Sequence, residues 1–387
     1  MFNRLTHHLP HYFHQPLTRT LEALYTAVGL QDFALAMMML FEPVYLYQLG
    51  YTVPEIAGFY ALVYVFYIIL VPLGGKFVAR YSPPRAIAVS TIFLVLYYVT
   101  LLGIDGHDWL FWVAPVLFAL QKTLYWPGYH ADFIAASKDG ERGREFAMLY
   151  SLTTVMYIVG PAMGGVLITW FGFPALFLIG ALIIFFSSLP LLFVPVQHAR
   201  TTFSYRHSMT LPFQAAHRRT TVAYLGFGEQ LLLNYIWPIY LAITFKTLER
   251  LGGLAALATL LTALVTLYLG RLFDRGHWHR VLRGGAITSA VNWFIRLFVT
   301  STGQVFGSAV IGQIGQNLTW VTSSDVAYER AIKEQNPIGR SILLEQGLSY
   351  GKVLAAVLVL LFGQIFDPFV VTFVIGSLFS LFYLRFK

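Results

Sequence analysis

The second half of the chain repeats short motifs of the first half at a nearly constant distance. Gly75-Lys-Phe-Val-Ala-Arg80 is followed about 195 residues later by Gly270-Arg-Leu-Phe-Asp-Arg275. Three further pairs keep almost the same offset: Pro43-Val-Tyr-Leu46 with Pro238-Ile-Tyr-Leu241, Gln121 with Gln316, and Gly143-Arg144 with Gly339-Arg340. A repeat of this kind indicates two copies of one structural unit.

The composition indicates that both copies lie in a membrane. Apolar residues make up 57% of the chain and charged residues 11%, whereas a soluble domain carries roughly 25% charged residues. Apolar runs of about twenty residues are long enough to cross ~30 Å of hydrocarbon. The absence of cysteine excludes disulfides, a thiol nucleophile and a cysteine-ligated metal. Residues 1–20 show no cleavable signal pattern, so we expect the first span to remain in the mature protein.

Twelve membrane spans are predicted, six in each half. In the first half they are 23–49, 53–79, 84–104, 109–136, 144–170 and 173–194, and in the second half 220–246, 251–272, 281–301, 304–327, 339–365 and 368–386. The predicted fold is therefore all-α, with two pseudo-symmetric six-helix bundles at 1–194 and 220–387. The polar stretch 195–219 is interpreted as the linker between them.

The distribution of basic residues predicts the orientation. Lys and Arg favour cytoplasmic loops. With the N-terminus inside, only Lys246 and Arg250 of the 26 basic residues fall outside, while Lys122, Arg296 and Lys352 fall within spans. Both termini and the linker are therefore predicted to be cytoplasmic, in a multi-pass cell membrane protein, most simply of a bacterial inner membrane. The charges are spread over short loops and form no patch typical of a nucleic-acid-binding protein.

Two loop motifs and one longer run resemble those of the major facilitator superfamily. Gly75–Arg85 and Gly270–Arg275 are similar to the loop signature of that family. The run His130-Ala-Asp132, Glu141-Arg-Gly-Arg144 and Gly160-Pro-Ala-Met-Gly-Gly165 is similar to its pattern through spans 4 and 5. The resemblance implies the twelve-helix fold of this family and transport by alternating access. Its span-five motif is common in exporters that exchange drugs for protons.

The same resemblance implies a gate at the cytoplasmic face. Arg80 with Asp132 and Arg275 with Asp325 are predicted to form one ion pair in each half; charges that snorkel at helix ends are the alternative. The first loop has Ala79 where the family usually has an acid, and the second keeps it. The full set of predicted gate residues is Arg80, Asp132, Arg144, Asp274, Arg275, Asp325 and Arg340.

The motif in span 5 predicts a close helix contact. Gly160 and Gly164 lie one above the other on a helix and let a neighbouring helix approach. Pro161 removes a backbone hydrogen bond and can bend the span. With Gly165, these residues are interpreted as a flexing contact between moving spans, or alternatively as ordinary small-residue packing.

Ionisable residues within spans are candidates for function because they are costly to insert. Asp32 and Glu229 lie about ten residues into spans 1 and 7, near the midplane. Since burial of a carboxyl group disfavours its charged form, these two are predicted to carry protons. Asp32 and Lys122 are candidates for a buried pair, with a purely structural salt bridge as the alternative. Glu42 and Arg296 lie nearer the outer ends of their spans, where snorkelling is expected.

Polar and aromatic stripes at helical spacing predict a cavity between the halves. Glu345, Ser349 and Lys352 share one face of span 11, and Tyr60, Tyr64 and Tyr67 recur in span 2. The predicted cavity residues are Tyr60, Tyr64, Lys122, Tyr125, Tyr129, Asn234, Gln313, Asn317, Trp320, Glu345, Ser349 and Lys352.

The sequence therefore predicts a secondary active transporter rather than an enzyme. Two six-span halves with a site between them at mid-depth are typical of alternating access. No nucleotide-binding G-x-x-x-x-G-K-[ST] motif occurs, so ATP is not expected as the energy source. Buried carboxylates favour proton coupling. The resemblance of the span-five motif to that of exporters implies export as the direction. We expect a small-molecule substrate, a monomer in the lipid bilayer, and no cofactor or metal. Uptake of a small polar or zwitterionic solute, and a lipid or lysolipid flippase, are the alternatives.

Overall fold

The computed structural model describes residues 18–136, 142–194, 204–273, 278–333 and 337–386. In these ranges the chain is helical apart from short turns, and they contain no β-strand. Asp274 and Arg275 of the predicted gate lie outside the described residues, as does the side chain of Asp325.

Helices follow one another through the first half with short connections. Span 1 comprises Arg19–Met38 and Glu42–Gln48, span 2 is Val53–Tyr81, span 3 is Pro83–Gly103 and span 4 is Leu110–Ala136. One helical segment, Arg142–Ser187, contains spans 5 and 6, and a short helix, Leu189–Leu192, follows it.

The linker region and the second half are also helical. Tyr205–Thr210 and Leu211–Phe213 precede span 7, which comprises Ala215–Tyr224, Leu225–Phe227, Gly228–Leu231, Leu232–Ile236 and Trp237–Phe245. Span 8 is Leu248–Phe273, and span 9 is Trp278–Ile295 with Arg296–Phe298. Span 10 is Thr302–Lys333, span 11 is Pro337–Phe362, and span 12 is Pro368–Ser380 with Leu381–Arg385.

Local sequence signals set several of these boundaries. Thr52 and Glu55 form a capping box at the start of span 2, where the Thr52 amide donates to Glu55 Oε2 at 2.8 Å. Span 2 ends at Ser82, whose φ of 135° lies in the region that favours glycine. Gly172, with φ of 78°, separates spans 5 and 6, because it can adopt this conformation without a steric penalty.

The fold prediction is confirmed as an all-α membrane protein with twelve helical spans. Seven helical segments in the described ranges are long and apolar enough to cross a membrane on composition alone, among them Ala147–Leu192, which Gly172 divides. Spans 4, 7, 9 and 10 fall outside this set, and they carry many of the buried polar residues described below. A span that is sheltered by its neighbours can hold such residues because they do not face lipid.

Two pairs of helices make the most extensive contacts between the halves. Spans 2 and 11 pack along their length: Gly58 lies against Leu360 near one end, and Gly75 against Ile342 near the other. Spans 5 and 8 pack so closely that a methyl group added at Gly252 would lie 2.2 Å from the carbonyl oxygen of Pro161. These two pairs of spans thus bring residues of the two halves into direct contact.

Candidate functional site

A buried carboxylate connects the two halves. Glu345 of span 11 accepts a hydrogen bond from the Tyr67 hydroxyl at 3.1 Å. Its other oxygen, Oε1, lies 3.4 Å from Nε2 of His130 in span 4. Glu345 and His130 are only 6% and 5% exposed, so both groups are removed from solvent. The two groups therefore lie within hydrogen-bonding distance of each other across the interface between the halves.

Two lysines lie on aromatic rings next to this group. Lys122 Nζ is 4.4 Å from the Phe118 ring centroid and 5.5 Å from that of Tyr64. Lys352 Nζ, from the second half, is 4.8 Å from the centroid of Tyr64. Ring faces stabilise desolvated cations, at about 2 kcal/mol or more in a buried site. The site therefore has two amine groups and one carboxyl group between the halves.

A third polar group, around Glu42, lies next to these residues, toward the start of span 2. Glu42 Oε1 accepts hydrogen bonds from Tyr60 at 2.6 Å and from Tyr97 at 2.5 Å. The Tyr60 ring stacks on that of Tyr235 from span 7, at 3.6 Å between centroids. Glu42 is 1% exposed, so the expectation that it snorkels to the membrane surface is wrong. The two tyrosine hydroxyls bind Oε1 inside the protein, while Oε2 is buried without a hydrogen-bond partner.

The second half contains a separate polar cluster around Glu229. Trp293 Nε1 donates to Glu229 Oε2 at 2.9 Å, and the Ser380 hydroxyl donates to the same oxygen. The Arg296 guanidinium lies 3.7 Å from the Trp237 ring centroid and 4.0 Å from that of Trp293. Glu229 is therefore held by spans 9 and 12 and lies in the interior of the second bundle.

Arg296 is also placed differently from the sequence expectation. Its Nε donates to the Ser308 hydroxyl at 3.0 Å, and Ser308 donates to Asn292 at 3.1 Å. At 2% exposure it does not snorkel, because the two indole faces and the serine stabilise its charge within the bundle.

Asp32 does not pair with Lys122, although the structure describes both residues. The acidic groups that interact electrostatically with Lys122 are Glu345 and Glu42. Asp32 interacts electrostatically with Tyr129 and Tyr157 instead. The proposed pair of Asp32 and Lys122 is therefore not formed, and Lys122 interacts instead with Glu345 and Glu42.

The remaining predicted cavity residues lie in several different surroundings. Ser349 donates to the carbonyl oxygen of Glu345 at 2.6 Å, and Tyr125 stacks on Tyr129 at 5.9 Å beside span 1. Gln313 accepts from Thr262 of span 8 at 3.3 Å. Trp320 packs on Phe227 of span 7 at 5.8 Å, and Asn317, one turn before it, is half-buried. Asn234 is half-buried in the π-helical segment Leu232–Ile236, which also presents Tyr235 to Tyr60.

The first-half gate pair is not formed in this structure. The guanidinium of Arg80 lies 5.4 Å from the Tyr81 ring centroid and makes no ion pair with Asp132, both residues being described. Arg80 is exposed and Asp132 is 3% exposed, so the two side chains lie in different surroundings. Arg144 and Arg340 lie in the first turns of the helices of spans 5 and 11.

The glycines of span 5 contact two other spans. A methyl group added at Gly160 would lie 2.5 Å from the Ala36 side chain, and one added at Gly164 would lie 2.3 Å from the Met37 carbonyl oxygen. One at Gly165 would lie 2.9 Å from the carbonyl oxygen of Leu248, at the start of span 8. Span 5, with Pro161 between these glycines, therefore packs against span 1 and against the other half of the chain.

The geometry can be compared with known families. The model of the Major Facilitator Superfamily matches residues 24–342. The chain belongs to the major facilitator superfamily. It is therefore a membrane transporter that has small molecules as substrates, in agreement with the expectation from its motifs.

Curated relatives and solved structures of the superfamily are similar to parts or all of the chain. Multidrug resistance protein MdtH of Sodalis glossinidius (strain morsitans) is 29% identical over 116 residues, 30% of this chain and 28% of that protein. MdtH of Baumannia cicadellinicola subsp. Homalodisca coagulata is 28% identical over the same length. The chain thus matches less than a third of these relatives. A crystal structure of the nucleoside transporter NupG superposes with a TM-score of 0.72 at 12% identity, over 94% of this chain and 97% of that one.

Several residues of the central site in this superfamily member were not predicted as site residues. Tyr97, Tyr235 and His130 complete the two carboxylate groups between the halves. Trp237 and Trp293 form the surroundings of Arg296 and Glu229. Aromatic residues also fill ordinary core positions, so their sequence spacing alone does not mark them.

Proposed function

We propose that the chain is a proton-coupled transporter that works by alternating access and exports its substrate. One observation carries the proposal: Glu345 of the second half is bound by Tyr67 and His130 of the first half. A site between two rocking bundles opens only when contacts of this kind break. Because the carboxyl and imidazole groups both bind protons, their protonation can change the strength of the contact that has to break.

Asp32 and Glu229 provide one further carboxyl group in each half. Glu229 is bound by Trp293 and Ser380, which belong to the same bundle, so it can change protonation without contacting the first half. Asp32 lies beside Tyr129 of span 4, which also contains His130. We propose that these two carboxyl groups carry the protons. Glu345 and His130, in the central site, then respond to the change in their protonation.

Two features support export. The span-five motif contacts both span 1 and span 8, the latter in the opposite half, so it lies where the bundles would move against each other. The MdtH relatives are multidrug resistance proteins by name. We extend that activity to this chain as a proposal, with aromatic, amphipathic molecules as the substrate class. The aromatic residues around Tyr64 and Tyr235 suit such molecules.

Uptake of a small zwitterionic solute is the second candidate. Lys122 and Lys352 provide two amine groups, and Glu345 provides a carboxyl group beside them. A solute with both a carboxylate and an ammonium group would find a partner for each. The similarity to NupG supports the fold alone and does not favour a nucleoside.

The topology remains part of the proposal. We propose both termini and the linker 195–219 on the cytoplasmic side of a bacterial inner membrane, with bundles at 1–194 and 220–387 and a monomeric unit. Single cysteines can be introduced into this cysteine-free chain. Reaction of a linker cysteine with an impermeant reagent outside intact cells would contradict the proposed orientation.

Transport in proteoliposomes tests the function. Wild-type protein and Glu345→Gln are reconstituted with an imposed pH gradient and supplied with ethidium, a radiolabelled zwitterionic amino acid or a fluorescent lysolipid. The proposal expects ethidium to accumulate against its gradient in exchange for protons, and Glu345→Gln to abolish this. Accumulation of the amino acid alone would favour uptake. Lysolipid movement without ethidium transport would favour a flippase.

A further inference from the structure

A basic pocket lies where the start of span 7 meets the end of span 12. Its cavity volume is about 450 Å³, and it is lined by Ala215, Arg218, Arg219, Val222 and Arg385. None of these lining residues is acidic, and the three arginines are exposed. The pocket lies apart from the central site, and the transport cycle proposed above does not use it.

Aromatic packing fixes the position of Arg385 in this pocket. Tyr383, two residues before it, is 1% exposed and packs on Phe227 at 5.1 Å between centroids. Phe386, directly after it, packs on Tyr224 at 5.1 Å. The end of span 12 is thus held against span 7 on both sides of Arg385. The packing of spans 7 and 12 therefore places the three arginines at one cavity.

We propose that this pocket binds the phosphate group of an anionic phospholipid. Guanidinium groups bind phosphate through paired hydrogen bonds, and an anion among three like charges removes their mutual repulsion. Helix Ala215–Tyr224 begins at the pocket, and its positive end adds to the attraction. The cavity volume falls within the ~300–1,000 Å³ of small-molecule sites.

The surroundings favour a lipid over free phosphate. Leu381 and Leu384, on the same segment as Arg385, are 43% and 39% exposed, and Phe213, just before the helix, is 63% exposed. These side chains place apolar surface beside the charged cavity, where acyl chains would lie. Basic pockets between membrane helices on the cytoplasmic side are suited to anionic headgroups. An inorganic anion would bind the arginines but has no acyl chain that could contact these apolar side chains.

Native mass spectrometry of the purified full chain tests the proposal. The probes are phosphatidylglycerol and phosphatidylcholine with identical acyl chains. The variant Arg218→Gln/Arg219→Gln/Arg385→Gln is compared with Arg85→Gln/Arg280→Gln/Arg283→Gln, which also removes three exposed arginines from the predicted cytoplasmic face. We expect wild type and the control variant to bind phosphatidylglycerol in preference to phosphatidylcholine. The pocket variant should bind it at least about tenfold more weakly.

An equal loss in the two triple variants would overturn the proposal, because surface charge alone would then explain binding. Displacement of phosphatidylglycerol by an equal concentration of inorganic phosphate would overturn the choice of a lipid. If the triple variant does not fold, as judged by thermal unfolding, Arg385→Gln alone decides. We expect a partial loss of phosphatidylglycerol binding in that variant, and unchanged binding would contradict the assigned site.

Discussion

The ring of Tyr60, in the first half of the chain, stacks on the ring of Tyr235, in the second half, with 3.6 Å between centroids and 18° between planes. The Tyr60 hydroxyl also donates to Glu42 at 2.6 Å, so one residue contributes to both the contact between halves and the buried carboxylate. Along span 2, Tyr60 and Tyr67 are separated by about 10 Å at 1.5 Å per residue. The contacts made by Glu42 and by Glu345 therefore lie at two different depths of one interface.

Removing the Tyr235 ring should open the interface at this level. Aromatic pairs contribute about 0.5–1.5 kcal/mol beyond area burial, which corresponds to a change of roughly two- to tenfold in the closed population. We expect Tyr235→Ala to raise the labelling rate of a cysteine at Ser349 by an impermeant maleimide by that factor. Tyr60→Phe keeps the stack and leaves Glu42 its bond from Tyr97. An equal increase in Tyr60→Phe would show that the hydroxyl, and not the stack, closes the interface.

Glu345 and His130 should act as one unit. We expect Glu345→Gln and His130→Gln each to reduce proton-driven ethidium transport by at least about tenfold, since each removes one side of the contact between halves. The double variant should be no worse than either single variant, because coupled residues are non-additive. Transport by wild type, the two single variants and the double variant, measured in proteoliposomes, completes this double-mutant cycle. Tyr67→Phe removes a neutral donor to the same carboxylate and should cost less. Independent, multiplying losses at Glu345 and His130 would contradict a shared role.

Asp32 and Glu229 should affect coupling more than exchange. We expect Asp32→Asn and Glu229→Gln each to reduce pH-driven transport while leaving substrate exchange at equal pH largely intact, because both residues lie outside the central group around Glu345. Counterflow of ethidium measures exchange separately from proton-driven accumulation. Full proton-driven accumulation in the double variant would remove both residues from the coupling mechanism.

Two adjacent glycines provide a matched test of the contact between spans 5 and 8. A methyl group at Gly252 would lie 2.2 Å from the Pro161 carbonyl oxygen, whereas one at Gly253 would have no heavy atom within 4 Å. Overpacking of this kind typically costs about 1–3 kcal/mol. We expect Gly252→Ala to lower the unfolding temperature and the transport rate, and Gly253→Ala to change neither. Similar behaviour of the two variants would show that the close approach is not required.

The sequence predicted the architecture better than the partners of its charged residues. The repeat and the apolar runs together predicted the twelve spans, although spans 4, 7, 9 and 10 do not stand out by length and hydropathy alone in the described ranges. Depth in the membrane marked Glu229 and Lys122 as candidates for function. It could not show which side chains face them. The donors to Glu42 come from positions 18 and 55 residues away, and no local spacing relates Tyr97 to Glu42.

Helical periodicity identified polar faces but not their neighbours. Gln313 lies on a polar stripe of span 10, as expected, yet it bonds Thr262 of span 8 and not a residue of the first half. Arg296 was expected to snorkel because it lies near the end of its span, whereas two indole rings hold it inside. Snorkelling is favoured only where no internal group stabilises the charge.

Distances between spin labels at the two ends of the interface test alternating access most directly. One pair replaces Lys76 and Arg283, exposed at the predicted cytoplasmic ends of spans 2 and 9, and a second replaces Tyr47 and Ile365 at the opposite ends. Double electron–electron resonance is recorded in lipid nanodiscs at acidic and alkaline pH. Proton-coupled rocking of the two halves predicts that one distance increases while the other decreases. Distances that do not change with pH, or that increase together at both ends, would contradict it.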